Sequence, residues 1–295
     1  MRMNDFRSSR RDFLKVVGMG AAGMALPRFR FFRSSDEYRA KVGLQLYTVR
    51  NAIVGDFEGT MRKVADIGYL GIESYTLPEN ITLERAAKVF RELGVEVFSM
   101  HSELPVGASR ELALRMADAY KCDTIVYHGW PEGDKYTNGK NIQHMVHVHN
   151  EIAAFLRSKG LHYGLHNHWW DFEKDDDGIV PFYYLRDHLD GHVFFEIDTY
   201  WAKVAGQDPA KVVADFGKRA PLLHIKDGPG VHGQKGYEQV PAGEGVMDFP
   251  AIVKAGGRNI KWMIVEFDEY DKSIVDGIGR SYSYLTKNGL AEGKA

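Results

Sequence analysis

Eight short apolar runs, each followed by an amphipathic segment, predict a single α/β domain of the (β/α)8 barrel class, with eight parallel strands closed on themselves. Two observations support the prediction: no linker or low-complexity stretch interrupts the chain after residue 36, and polar, chemically useful side chains end nearly every apolar run. The alternative is an open doubly wound sheet, because periodicity does not show closure.

The apolar runs span 42–47, 70–75, 95–101, 124–128, 162–166, 193–197, 222–225 and 262–267. Segment 56–67 places Phe57, Met61, Val64 and Ile67 near helical spacing, and segment 82–93 opens on Thr82, a residue suited to an N-cap. Segments 109–120 and 142–158 behave similarly. Shorter helices fit 181–188, 209–216 and 249–255, with a last one near 274–287. Gly68, Gly94 and Gly160 stand where helices are expected to end.

The chain has 295 residues, 44% hydrophobic and 26% charged, enough to bury a large core. Cys122 is the only cysteine, so an intrachain disulfide is excluded. Residues 1–35 hold eight Lys/Arg against Asp5 and Asp12, a net +6; the whole chain carries −2, so the remainder carries −8. An acidic body repels phosphate backbones, which argues against nucleic acid as a partner.

The sequence Ser9-Arg10-Arg11-Asp12-Phe13-Leu14-Lys15, followed by a small apolar stretch to Leu26, resembles a twin-arginine export signal. It implies an export signal and linker over 1–35, a barrel over 36–295, the twin-arginine machinery as a partner, and a periplasmic location, membrane-tethered if the signal is uncleaved. The apolar stretch is shorter than the roughly 20 residues of a stable span. Gly18, Gly20 and Gly23 spell G-x-G-x-x-G, but a twin arginine precedes them where a dinucleotide site needs a strand.

In a barrel of this class the active site forms where the strands end. Those ends supply Gln45, Glu73, His101, His128, His166 and His168, Glu196 and Asp198, His224, Lys226 and Asp227, and Glu266 and Asp268. A lone strand-end histidine is usually structural; a full rim of such residues is not explained by packing. Strand alternation puts His166 and His168 on one face and Asn167 on the other. Imidazoles with two carboxylates suit one divalent metal (Mn, Co, Mg, Fe or Zn), able to stabilise the enediolate formed when a proton leaves a carbon beside a carbonyl.

Tyr163-Gly164-Leu165-His166-Asn167-His168, with Glu196-Ile197-Asp198, His224-Ile225-Lys226-Asp227, Gly243-Glu244-Gly245 and Val265-Glu266, resembles the xylose-isomerase-like TIM barrel superfamily. Within it, the match is to the sugar phosphate isomerase/epimerase branch, His-Asn-His subgroup. The resemblance covers roughly residues 40–290 and places metal ligands at His166, Asp198, His224 and Glu266. It departs from many epimerases by carrying histidine where they have a strand-five glutamate, and Asp171 stands where the subgroup usually has glutamate.

Glu266 is the expected base as well as a ligand, with His168 as acid or substrate contact and Lys226 steadying a developing oxyanion. Glu73, His101, His128, Trp169 and Trp201 are expected to bind substrate, and Trp130, Trp170 and Tyr200 are further candidate sugar-facing aromatics. The glycine-rich segment 227–248 is a candidate lid. His144, His147 and His149 are read as surface or partner contacts, since their spacing is not that of a helical metal pair. The expected activity is a metal-dependent sugar or keto-sugar isomerase or epimerase acting on a small-molecule carbohydrate. The rivals are a lyase or dehydratase on the same site and a non-catalytic exported sugar-binding protein. The substrate, the metal and whether the protein is a homo-oligomer are left open.

Overall fold

The structure, a computed structural model, describes residues 38–129 and 136–294. The export-signal expectation over 1–35 and the aromatic candidate Trp130 lie outside the described residues. Strands β1 (Ala40–Gln45), β2 (Gly71–Ser74), β3 (Glu96–Ser102), β4 (Thr124–Tyr127), β5 (His162–His166), β6 (Phe194–Asp198), β7 (Leu222–Ile225) and β8 (Trp262–Val265) pair in chain order. Every pair is parallel, and β1 bonds to both β2 and β8. That double pairing closes the barrel and removes its edges, which sets aside the open sheet. A two-residue β9 (Ala291–Glu292) joins the first residues of β1.

The helices between the strands follow their caps and apolar stripes. They are α1 (Arg50–Gly55), α2 (Phe57–Ile67), α3 (Leu83–Glu92), α4 (Gly107–Tyr120), α5 (Gly139–Ser158), α6 (Pro181–His188), α7 (Thr199–Val204), α8 (Pro209–Phe216), α9 (Phe249–Gly256) and α10 (Ile274–Lys287). Phe57, Met61 and Val64 bury the inner stripe of α2, and Gly68 ends that helix at φ 115°, in the left-handed region that favours glycine. Thr82 caps α3, accepting from the Arg85 N–H at 3.2 Å. Helix α5 starts three residues before its apolar stripe, because Asn138 caps it and accepts the Asn141 N–H at 3.0 Å. The short α1 and α7 were not foreseen; neither is long enough to show a period. Among the described residues no helix is long and apolar enough to cross a membrane.

Inside the barrel, side chains alternate in and out, and the inward series changes character with height. At the lower end Phe98, Val126, Leu222, Trp262 and Ile264 form a separate apolar plug, in which Phe98 stacks on Trp262 with ring centres 3.9 Å apart. Glycines leave the room these rings need: a Cβ on Gly43 would stand 2.5 Å from the Phe98 ring, and one on Gly164 2.2 Å from Phe194. Two to four residues further along the same strands the inward positions become Gln45, Glu73, His101, His166, Glu196, Asp198, His224 and Glu266. The plug seals one end, so this polar layer opens only toward the strand C-termini.

Candidate active site

Every polar group in that layer is buried, so each needs a partner. The deepest part is an ion cluster. His101 Nε2 lies 2.6 Å from Glu196 Oε2 and 3.1 Å from Glu73 Oε1, and His224 Nε2 lies 2.7 Å from the same Glu73 oxygen. Gln45 donates to Glu73 Oε1 at 2.7 Å, and the Ser99 hydroxyl donates to its other oxygen. Burial alone lowers an imidazole pKa, but the Glu73 and Glu196 carboxylates outweigh it and raise His101 to about 9. Burial disfavours charge on Glu73, yet the two imidazoliums hold it well below the usual carboxylate range. Glu73, expected on the pocket wall, therefore belongs one layer below it.

Above this cluster sit the four residues that the sequence proposed as ligands. His166, Asp198, His224 and Glu266 each bring one donor atom, and the four atoms lie within 4.8 Å of one another. His224 has its two nitrogens divided between the layers: Nε2 faces Glu73, and Nδ1 lies 2.6 Å from Glu266 Oε2 and 4.0 Å from Asp198 Oδ2. Asp198 is divided too, since Oδ1 caps α7 by accepting the Trp201 N–H at 2.8 Å while Oδ2 faces the site. His166 Nδ1, Asp198 Oδ2, His224 Nδ1 and Glu266 Oε2 are all buried and none makes a well-directed hydrogen bond. Two imidazole and two carboxylate ligand atoms, held only by ion pairs to their neighbours, fit a divalent cation.

A second set, His101, His166, Glu196 and His224, is equally close. It is the poorer candidate, because His101 and Glu196 already satisfy each other at 2.6 Å. Sequence reasoning noted Glu196 at a strand end but gave it no role. Its spacing of two from Asp198 was the available signal, because it puts both carboxylates inward.

Lys226 is the cation the structure does hold here. Its ammonium lies 2.9 Å from Asp198 Oδ2, 2.8 Å from Glu266 Oε2 and 2.7 Å from Asp268 Oδ2. Burial opposes its charge, but the three carboxylates keep the ammonium protonated well above the usual lysine range. Burial also works against the Glu266 carboxylate, yet Lys226 and His224 hold it ionised. His166 and His168 are driven the other way, toward the neutral imidazole, mainly by burial.

The cavity over these groups measures about 200 Å³ and is lined by His101, His128, His166, His168, Trp201, Lys226 and Glu266, with Tyr47, Arg50, Tyr75, Tyr237, Asp268 and Glu269 completing the wall. Of the expected site residues, Trp169 stands apart from this wall, packed edge-on to His232 at 4.3 Å. Asp268 was noted at a strand end without a role, whereas Tyr47, Arg50, Tyr75, Tyr237 and Glu269 were missed because they stand in or just beyond the connections after β1, β2, β7 and β8, where no periodicity marks a side chain as inward. Arg50 is a further cation in the wall, engaged with the Tyr47 ring at 3.8 Å and the Asp268 carbonyl.

Neighbouring details refine the reading. Asn167 faces away from His166, as alternation requires, and ties β5 to β6 by accepting the Asp198 N–H at 2.9 Å and donating to the Asp198 carbonyl at 3.2 Å. Asp171 accepts the His168 N–H at 2.7 Å, so the shorter acid still closes the turn. The candidate lid over 227–248 is fastened: the buried Asp227 carboxylate accepts from the N–H groups of Gly228, Gly243, Gly245 and Met247 at 2.9–3.2 Å. Tyr200, expected to face sugar, donates to the Gly236 carbonyl of that same loop at 2.7 Å and is fully buried. His149, read as a surface residue, is also fully buried, bonded to the Tyr163 hydroxyl at 2.9 Å and the Tyr136 hydroxyl at 3.0 Å. One face of α5 packs on the barrel, and an isolated histidine there gives no sequence signal.

The profile of the xylose isomerase-like TIM barrel family matches residues 61–285. No curated protein matches the sequence. Among solved structures, a sugar phosphate isomerase/epimerase from Parabacteroides distasonis superposes with a TM-score of 0.72 at 22% identity, over 88% of this chain and 98% of that one. A probable 3-DHS dehydratase from Bacillus anthracis gives 0.64 at 15%, over 83% and 98%. A D-allulose 3-epimerase from a Methylomonas species gives 0.61 at 13%, over 84% and 98%.

Proposed function

The chain belongs to the xylose isomerase-like TIM barrel family, and from that premise we propose that it is a divalent-metal-dependent isomerase or epimerase of a sugar or keto-sugar. The observation that carries the proposal is the convergence of four buried ligand atoms from His166, Asp198, His224 and Glu266, within 4.8 Å of one another, beside a small polar cavity. A divalent ion held by these residues would supply Lewis-acid polarisation of a carbonyl and its neighbouring oxygen.

The chain's own residues supply the rest. Glu266, held ionised by Lys226 and His224, is ready to accept the proton from the carbon beside the carbonyl. His168, neutral by burial and on the cavity wall, takes or returns a proton from the β5 side. Lys226 places fixed positive charge beside the developing oxyanion. Trp201, 1% exposed, backs the cavity wall behind Tyr237 and Lys226, and His101 and His128 offer polar contacts.

One observation favours a lyase or dehydratase as the second reading. The carboxylates of the cavity wall, Glu266, Asp268 and Glu269, all come from β8 and its following loop, while the β5 side presents imidazoles. Epimerisation that uses one carboxylate on each face of the carbon lacks its second acid here; elimination does not need it.

The test begins with metal content of the full-length chain, beside Asp198→Ala and Glu266→Ala. About one divalent ion per chain, lost in both variants, is the expected result. A 3-keto-glucoside followed by NMR in deuterated water then separates the readings. Deuterium incorporated with inverted configuration supports the epimerase, and a released aglycone supports the lyase. Binding without exchange, even with saturating Mn²⁺, leaves a non-catalytic sugar-binding protein. Export by the twin-arginine route remains part of the proposal; replacement of Arg10 and Arg11 by lysine should retain the protein in the cytoplasm on fractionation.

A further inference from the structure

The polar cavity shares part of its wall with a neighbour. Tyr75, His101 and His128 also line a second chamber of about 450 Å³, enclosed by the loop after β2, the start of α3 and one face of α4. Its character is different. Leu77, Ile81, Leu83, Leu112, Ala113 and Met116 give it an apolar lining. Leu112 stays 48% exposed on α4 with its side chain on this chamber. An exposed leucine is common, but here it completes an apolar surface that adjoins a reaction site.

Size argues for a joint occupant. Small-molecule sites generally measure roughly 300–1,000 Å³. The polar cavity alone, at about 200 Å³, falls short of that range, and with the chamber it falls inside. Charge narrows the occupant further. Glu79, Glu84 and Glu103 border the chamber against Arg115, so an anionic group such as a phosphate is disfavoured there.

We propose that the chamber is the subsite for the uncharged, apolar aglycone of a glycoside whose sugar ring occupies the polar cavity, so that the substrate is a glycoside and not a free monosaccharide or a sugar phosphate. This rests on the carbohydrate reading above. The sugar ring reaches the Glu266 and His168 side of the cavity, and the Tyr75 and His128 rings, which meet edge-on at 6.2 Å, swing apart to let the glycosidic oxygen cross into the chamber.

The test reads binding, so its outcome is separate from catalysis. Affinities of phenyl and methyl β-D-glucopyranoside, and of their 3-keto forms, are measured by titration calorimetry on the full-length protein loaded with Mn²⁺. The phenyl compounds should bind roughly ten- to hundredfold more tightly, the scale of burying one aromatic ring. Leu112→Trp, which fills the chamber from a half-exposed position, should abolish that difference while methyl glycoside affinity stays the same. Leu112→Asp, which adds charge without bulk, should do likewise if it folds to the same thermal midpoint. Equal affinity for phenyl and methyl compounds in the parent protein overturns the proposal. So does a Leu112→Trp variant that weakens both alike, or a parent protein that binds neither. Tight phenyl-glycoside binding without turnover would instead leave the subsite standing and remove the isomerase and lyase readings.

Discussion

Lys226→Met removes the ammonium that joins Asp198, Glu266 and Asp268 while keeping most of the stem. The ammonium contacts Asp198, Glu266 and Asp268 at 2.7–2.9 Å, and Lys226, Asp198 and Glu266 are all buried. Taking one partner out of a buried ion pair costs about 3–5 kcal/mol. The lower figure, about 3 kcal/mol, applies here, because each carboxylate keeps another contact. Glu266 retains His224 at 2.6 Å, Asp198 retains the Trp201 N–H at 2.8 Å, and Asp268 retains the Gln239 amide at 2.9 Å. A domain of this size loses about 2–4 °C per kcal/mol, so the thermal midpoint in EDTA should fall by roughly 6–12 °C. A divalent ion among the same carboxylates restores the missing charge. With saturating Mn²⁺ the deficit should shrink to under about 1 kcal/mol, and the variant should gain more stability from metal than the parent does. Circular-dichroism melts of both proteins, in EDTA and in Mn²⁺, decide the matter. A fall of less than about 2 °C in EDTA would refute the buried cation. An equal fall with and without metal would show that Lys226 and the metal do not share these carboxylates.

Three further outcomes follow from the same geometry. His101 is raised to about 9 from an ordinary 6.5, so its contribution to stability is complete below about pH 6.5 and is lost as pH rises through about 9; denaturation midpoints in EDTA across that window should fall in the parent and flatten in His101→Gln. Gly43→Ala drives a methyl into the Phe98 ring and should cost about 1–3 kcal/mol, seen as a lower melting temperature with metal content preserved. Asp227→Ala strips the acceptor from four backbone N–H groups and should open segment 228–247 to limited proteolysis, with cleavage sites mapped by mass spectrometry. An intact loop under conditions that cleave denatured protein would show that Tyr200 and the remaining contacts suffice.

The order of strands and the main helices were legible because their signals are local. Apolar runs of four to seven residues, capping residues such as Thr82 and glycines at helix ends each fix a segment without reference to the rest of the chain. The four candidate ligands were legible for a related reason: they stand at the ends of buried strands, and the barrel class puts all strand ends on one rim. The inward pairing of Glu196 with Asp198 could have been drawn from alternation alone, and was not.

Other features depended on what the strands face once the barrel closes. Whether Glu73 lines the cavity or lies beneath it depends on how far β2 is staggered against β3, and the register shifts at Ile72/Glu73, a shift the sequence does not mark. Burial of His149, the fastening of segment 227–248 by one carboxylate, and the adjoining apolar chamber all arise from contacts between segments distant in the chain. The sequence determined which residues end strands; the tertiary structure decided which of them share a buried volume. The physical reason is that strand and helix periods are set by neighbouring residues, whereas a buried polar atom is judged by the partners that closure brings within about 3 Å.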